Sequence, residues 1–499
     1  MNAFSRRGAC PALSTPMQTG DGLLVRLNPV AGGLPPKSLI GLCESALRHG
    51  NGIMEVTARG SLQIRGLAPT SARLLAAEVD ALGIIVRTGM PVETGPLAGL
   101  DPEEIADPRP LAERIRAAAE EAGLPSRLGP KVSVVVDGGG QLTMDAVTAD
   151  VRLVARQIDA GTQWQMAVAG DGRTAMPLVM AEEDAARDIA VAVLRMVAEK
   201  GREAHARDLT DRQLASLASW HSVAPPSVLP DISPTRGEIG GFAAGSPSEA
   251  LEIGEGGDEG AISPLVGEMS GRTEGGATER QPMPPLQSAR SPIGIFALAS
   301  ANTALGIGLP FGSMPAEKII DLTRHALALG VAEIRLAPGR ALLFLGQPAA
   351  ANQSLQQTAA TLGFVTDAAD PRTRIAACPG APACASGRIA TRDIAETIAA
   401  ENRDLLDSSL TLHISGCAKG CAHPGPAALT LVGGENGAGL VVNGTAKTLP
   451  AGYRPGYDAA RGIGRVAATI RARRHTGETT VACLTRLGAA GITEAYRRE

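Results

Sequence analysis

The chain repeats itself. Sliding it by 280 positions lays residues 34–85 on residues 314–365 without a gap, and Pro35, Leu42, Ala46, Leu47, Gly50, Leu62, Gly66, Leu75, Leu82 and Gly83 all meet identical residues. The apolar pattern repeats as well. Leu39, Leu42, Cys43, Ala46 and Leu47 carry helical spacing. Residues 53–57 and 61–65 read as short strands about a tight turn at Arg59-Gly60, and residues 74–82 read as a second helix. With a leading strand at residues 23–27, each copy is β-α-β-β-α, a ferredoxin-like half. Further on, a helix and strand at residues 111–122 and 131–136 correspond to a pair at 391–405 and 410–415. Asp184-Ala-Ala-Arg-Asp-Ile likewise corresponds to Asp458-Ala-Ala-Arg-Gly-Ile. This order predicts an α/β (α+β) molecule built from two homologous halves about a pseudo-twofold axis. Each half is a ferredoxin-like unit followed by an α/β domain, with expected boundaries 1–90, 91–221, 291–367 and 368–499. A ligand site in such a molecule belongs at the seam between units.

Residues 222–290 interrupt the repeat. Of these 69 residues, 29 are Pro, Gly or Ser, and no periodic apolar pattern survives, so the expectation is a disordered linker. A formal net charge of −4 and an aromatic content of 2% argue against nucleic-acid binding, which uses basic patches and stacking platforms. The uncharged run near residues 291–316 contains Pro292, Asn302, Pro310 and Pro315 and reads as strands and loops, not as a membrane span. The opening residues show no apolar secretory core, so the expected location is the cytoplasm.

Four of the seven cysteines cluster as Cys378-x5-Cys384 and Cys417-x3-Cys421. Pro379, Gly380 and Pro382 make the first pair a loop, and Gly416, Gly420, Pro424 and Gly425 surround the second. A set of four thiolates suits a [4Fe-4S] cluster or a structural zinc. The five-residue gap favours the cluster, because zinc pairs use gaps of two to four. The facing positions of the first half fall in Asp137-Gly-Gly-Gly140-Gln141. That half carries no metal chemistry, and its glycine loop has room for a bulky planar ligand.

The cysteine spacing resembles the cluster motif of the sulfite/nitrite reductase family. Thr57-Ala-Arg59-Gly-Ser-Leu-Gln63-Ile-Arg65-Gly66 is similar to that family's anion-binding strand-turn-strand, and the two-half plan is also the family's. Gly20-Asp-Gly-Leu-Leu-Val-Arg26-Leu, Pro96-Leu-Ala-Gly-Leu-Asp101 and His413-Ile-Ser-Gly-Cys417-Ala-Lys-Gly-Cys421-Ala-His423-Pro point to its precorrin-oxygenating branch, which serves aerobic cobalamin synthesis. The resemblance covers all of the chain but the linker.

It implies an oxidoreductase, a monooxygenase that converts precorrin-3A, O2 and NADH to precorrin-3B by C20 hydroxylation with γ-lactone formation. It also implies a [4Fe-4S] cluster on Cys378, Cys384, Cys417 and Cys421 and a mononuclear non-haem iron. The substrate's carboxylates call for arginine forks and lysines; Arg26, Arg59, Arg65, Lys131 and Arg340 are the candidates. His423, two residues beyond Cys421, is the candidate iron ligand. No NADH-binding motif stands in the right setting, so electrons are expected from a separate reductase or ferredoxin. Two rival readings stay open. A sirohaem-dependent reductase is disfavoured by Ala-His-Pro-Gly after Cys421 and by the single Lys131. A non-enzymatic four-cysteine zinc scaffold that binds tetrapyrroles is the other.

Overall fold

The computed structural model describes residues 11–30, 33–159, 161–219, 290–299 and 302–498. The expected linker, save Arg290, lies outside the described residues, as does Cys10.

Each ferredoxin-like half forms for local reasons. In the first, helix Pro36–His49 starts on a proline that needs no N–H partner, buries Leu39, Leu42, Cys43 and Ala46 on one stripe, and ends with Arg48 and His49 at its negative pole. Strands Ile53–Val56 and Leu62–Leu67 follow as a hairpin, then helix Pro69–Ala81. The second half repeats this with helix Ala316–Ala328, strands Glu333–Ala337 and Ala341–Leu345, and helix Asn352–Thr361. Helices Pro36–His49 and Ala316–Ala328 pack on each other, and one apolar core takes residues from both halves.

The pseudo-twofold axis is written in the strand pairing. Strand Gly33–Leu34 leaves its own half and borders the second sheet, with Leu34 opposite Ile334. Strand Ser313–Pro315 does the reverse, with Met314 opposite Met54. The two pairings are images of one another at the 280-residue offset. Each half therefore closes the open edge of the other, which removes two edges that would otherwise expose backbone donors.

The α/β domains also match. In the first, Val92–Thr94, Val134–Asp137 and Ala149–Ile158 run parallel, and Gly161–Gly170 and Met176–Ala181 turn back antiparallel. In the second, Ile375–Ala377, Leu412–Ser415 and Ala427–Gly434 run parallel, followed by antiparallel Gly437–Gly444 and Gly452–Arg454. Among the described residues no helix is long and apolar enough to cross a membrane.

Candidate active site

The two pseudo-equivalent seams differ in chemistry. On the first ferredoxin-like sheet, Arg26, Gln63 and Glu55 stand opposite one another across three strands. Arg26 donates to the Gln63 carbonyl at 2.7 Å, and the Gln63 amide donates to Glu55 at 2.9 Å. Glu55, Gln63 and Arg65 are all buried. The cysteine domain covers this polar row: Arg392, on helix Thr391–Glu401, pairs with Glu55. At the 280-residue offset the same face of the second sheet presents Gly306, Leu343, Arg335 and Leu345. Leu343 and Leu345 are sealed there against Leu97 and Leu142 of the first α/β domain. One seam is sealed mainly by leucines, with Arg335 donating across it to the Pro96 and Ala98 carbonyls. The other buries ionic and amide groups, which is costly unless they are paired, and it lies against the cysteines.

The parallel strands bring the cysteines together. Ala377 lies beside Ile414 in register, so Cys378 and Gly416-Cys417 leave the sheet side by side at the ends of neighbouring strands. The Gly416 N–H donates to Cys378 Sγ at 3.1 Å. The first loop is tied by Cys384 N–H to the Gly380 carbonyl and Arg388 N–H to the Gly416 carbonyl. Lys419 reaches Ser386 at 2.9 Å, joining the two loops. Burial raises the Cys421 thiol pKa, and the nearby Cys378, Cys417 and Cys384 raise it further; the four sulfurs thus share one neighbourhood. Among the described residues none of them is in a disulfide. Among the described residues no three His, Cys, Asp or Glu side chains converge to hold one metal ion. Four thiols lining one loop pair, with a backbone N–H aimed at sulfur, fit a multi-iron cluster.

Gly416 suits this close approach. A Cβ there would lie 3.1 Å from Gly380 Cα and 3.2 Å from Gly387 Cα, and backbone cannot swing aside as a side chain can. Gly416→Ala is expected to cost about 1–3 kcal/mol and to lower iron per protein. Denaturation midpoints and iron assay check this; wild-type iron content would show that the close approach is dispensable.

The first half braces the cysteine loop. Gly20 N–H and the Arg65 guanidinium both donate to the Ala383 carbonyl, at 3.2 and 2.6 Å. Arg65 also pairs with Asp21 and Glu55. Its fork is thus committed to the protein, not open to a substrate carboxylate. Arg59 is engaged too: it donates to the Thr148 carbonyl at 2.6 Å, Glu93 at 2.9 Å and the Ser133 hydroxyl at 3.2 Å. Lys131 is exposed, two residues before Ser133. Arg340 differs from these. It donates to the Ala422 carbonyl at 3.2 Å, beside Cys421, and no carboxylate pairs with it among the described residues. Arg26 and Arg340 occupy different elements. Arg26 is on strand Gly22–Leu27. Arg340 is in a hairpin turn at φ 67°, and its 280-offset partner is Gly60 at φ 80°. The two hairpin tips meet at the axis, where Gly339 N–H donates to the Ala58 carbonyl at 2.9 Å.

His423 is joined by one histidine. The His413 and His423 rings lie 5.7 Å apart, edge to face, and among the described residues buried His413 has no partner at either ring nitrogen. Burial, then His423 and Arg340, push the His413 pKa down to about 4, so its ring is neutral at neutral pH. With no carboxylate completing the group among the described residues, these residues do not fit the two-His-one-carboxylate iron site.

The glycine loop of the first half has no room for a planar ligand. A Cβ on Gly138 would meet the Ala106 carbonyl at 2.4 Å, and one on Gly140 would meet Asp101 at 2.3 Å. The chain's own residues 101–106 fill the space, held by Gln141 donating to Asp101. Sequence reading also missed Asp21, Glu55 and Arg392. Asp21 meets Arg65 and Arg392 meets Glu55 from distant parts of the chain, and only the Gly20-Asp-Gly turn hinted at one of them.

Duplicated ferredoxin-like halves, paired α/β domains and a four-cysteine loop pair define a protein of the sulfite/nitrite reductase class. Residues 15–82 match the nitrite/sulfite reductase ferredoxin-like half domain. The fold is similar to that of NirA from Mycobacterium tuberculosis, with a TM-score of 0.67 at 17% identity, covering 94% of this chain and 84% of that one. A curated precorrin-3B synthase from Sinorhizobium sp. is 38% identical over 99% of this chain and 96% of its own length. The chain belongs to the precorrin-3B synthase family.

Proposed function

We propose that this chain acts as a precorrin-3B synthase: it takes precorrin-3A, O2 and NADH to precorrin-3B, NAD⁺ and water, placing one oxygen atom at C20 and closing the γ-lactone. The observation that carries this reading is the near full-length identity to a precorrin-3B synthase. Cys378, Cys384, Cys417 and Cys421 would hold a [4Fe-4S] cluster. Such a cluster, when bound, passes single electrons between a donor and the reacting centre. The reading carries no mononuclear iron at His423, because the donors beside it do not complete a site. NADH delivers its electrons through a separate reductase or ferredoxin, and sirohaem has no part.

The chain's own residues bind and orient the tetrapyrrole. Arg340 lies against the cysteine loop with a fork that no carboxylate occupies among the described residues, and suits an acetate or propionate arm. The Gln63 amide is held in one orientation between Arg26 and Glu55, which holds Arg26 in place at the seam. Exposed Lys131 adds a point charge at the rim. Arg59 ties the first hairpin tip to the first α/β domain, and Arg65 steadies the cysteine loop.

These roles separate by measurement. Arg340→Ala is expected to weaken precorrin-3A binding tenfold to a hundredfold, about 1.5–3 kcal/mol for a charge-assisted contact, with cluster content retained. Arg59→Ala is expected to lower thermal stability first, because its donors are already engaged. Affinity per intact cluster distinguishes the two; unchanged affinity in Arg340→Ala would remove it from the substrate site. The reaction itself is tested with ¹⁸O2: product carrying one labelled oxygen supports the synthase. Sulfite or nitrite reduction by protein with sirohaem absorption would overturn it.

A further inference from the structure

Where the second half carries its cysteine loops, the first half carries carboxyl groups. Strand Val92–Thr94 runs out into residues 95–106 and strand Val134–Asp137 into the glycine loop, as Ile375–Ala377 and Leu412–Ser415 run out into the two cysteine loops. At the 280-residue offset Glu104 and Asp137 answer to Cys384 and Cys417. Residues 95–106 form a strap between units. Leu97 packs in the leucine seam of the second ferredoxin-like sheet. The Leu100 carbonyl accepts the Ala299 N–H at 2.9 Å, and Arg335 of the second half reaches the Pro96 and Ala98 carbonyls.

Glu104 fastens this strap. Its carboxyl accepts the Gly99 N–H at 2.7 Å, in a turn where Gly99 stands at φ 72°. The Gly138 carbonyl accepts the Ile105 N–H at 2.9 Å. A Cβ on Gly138 would meet Glu104 Oε1 at 2.8 Å, so strap and glycine loop lie in close contact. The groups that act on Glu104 are of one sign: Asp101 on the strap, Asp107 at the start of the next helix and Asp137 beneath the glycine loop. Asp101 and Asp137 are themselves buried and hold the N–H groups of Gln141 and of Gly139 and Met144. The cations packed around the strap are engaged elsewhere, Arg109 with Asp107, Arg152 with Asp145 and Arg335 with Glu333. Among the described residues none of them pairs with Glu104. Burial above all, with Asp107, Asp101 and Asp137, pushes the Glu104 pKa up to about 7, against the pull of the Gly99 N–H.

We propose that Glu104 is a proton-operated latch on the seam between the first α/β domain and the second ferredoxin-like half. Carrying its proton it holds the strap closed; losing it sets like charges against one another and drives strap and glycine loop apart. A carboxyl whose folded pKa is raised costs the folded state nothing below its unfolded value, and costs progressively more as pH climbs to the folded one. With 4.5 as the ordinary value and about 7 in the closed strap, the seam is tightest in mild acid and loosens as pH rises across that window. The same two values raise the open fraction about tenfold between about pH 6 and about pH 8. The latch does not depend on the assigned reaction.

Hydrogen exchange of the whole protein, read by mass spectrometry and corrected for its intrinsic pH dependence, tests the latch. In wild type the amides of the strap are expected to lose protection about tenfold between about pH 6 and about pH 8, while strand Leu412–Ser415 keeps its own. Glu104→Gln retains an acceptor for the Gly99 N–H and cannot ionise, so its strap is expected to hold the same protection at both. Should Glu104→Gln fold poorly, Asp107→Asn takes its place. Asparagine still caps helix Pro108–Glu121 and removes one of the charges acting on Glu104, so the loss is expected to shrink. Strap protection in wild type that does not change with pH, an equal loss in Glu104→Gln, or an undiminished loss in Asp107→Asn would overturn the latch.

Discussion

Serine at any one of Cys378, Cys384, Cys417 or Cys421 is expected to remove most of the iron and sulfide from the purified protein. A serine hydroxyl is a harder and far more basic donor than a thiolate, and iron–sulfur clusters depend on thiolate ligands. The neighbourhood sharpens the expectation. Cys378 is buried and already accepts the Gly416 N–H, so a serine there is left with little freedom to adjust. Cys43 and Cys483 serve as controls. Both are buried in apolar cores, in the first half and the cysteine domain respectively, and their serine variants lose some stability but keep their iron. Anaerobic purification followed by iron and sulfide assay decides the matter. Full iron content in all four variants would dismiss the ligand assignment, and loss in the two controls would show that the assay reports folding.

Arg65→Met should be among the most destabilising single changes in the molecule. The Arg65 side chain is 4% exposed and joins Asp21, Glu55 and the Ala383 carbonyl. Removing one partner of a buried ion pair costs about 3–5 kcal/mol, because the remaining charge stays buried without compensation. Here it would also leave the Ala383 carbonyl short of a donor, next to Cys384. Chemical denaturation measures the loss; a change under about 1 kcal/mol, by the same principle, would mean that water enters freely and the network is not sealed. The pH dependence has a definite sign. Burial raises the Asp21 pKa, but the Arg65 fork and Thr19 hydroxyl more than reverse that, so it lies below its ordinary 3.8. A carboxylate with a depressed folded pKa contributes fully above its unfolded value of about 3.9, and the contribution drains away as pH falls through the lower folded value. Wild type should therefore lose stability more steeply below about pH 4 than Arg65→Met does.

Much of the fold was legible because it rests on local repetition. The stripe Leu39, Leu42, Cys43, Ala46 and the hairpin about Arg59-Gly60 follow from spacing that short stretches carry by themselves. The strands from Ala149 to Ala181 and from Ala427 to Arg454 leave no such trace. One of them, Ala427–Gly434, is a nearly continuous apolar run broken only by Thr430. Periodicity cannot separate such a run from a buried helix. The glycine loop at Asp137-Gly-Gly-Gly140 misleads for a different reason. Glycine signals that something approaches closely, but not what; here it is residues 101–106 of the same chain.

The sequence by itself determined the duplication, the order of the elements, the positions of the four cysteines and the family. All of these depend on residue identity along the chain. Only the tertiary structure decided the partners. The exchange of Gly33–Leu34 for Ser313–Pro315 involves strands of two and three residues, too short to leave a pattern. Which arginines are engaged was equally hidden. Arg59, Arg65, Arg87 and Arg340 are alike in sequence, yet the first two are held by acids and carbonyls, while Arg87 and Arg340 have only carbonyls among the described residues. A guanidinium's role depends on the charges within a few ångströms of it, and those are brought there by elements tens to hundreds of residues away, as Arg65 meets Ala383. The asymmetry of the two seams has the same origin: a duplicated backbone offers two equivalent faces, and the side chains packed across each decide that one is sealed by leucines and the other stays polar beside the cysteines.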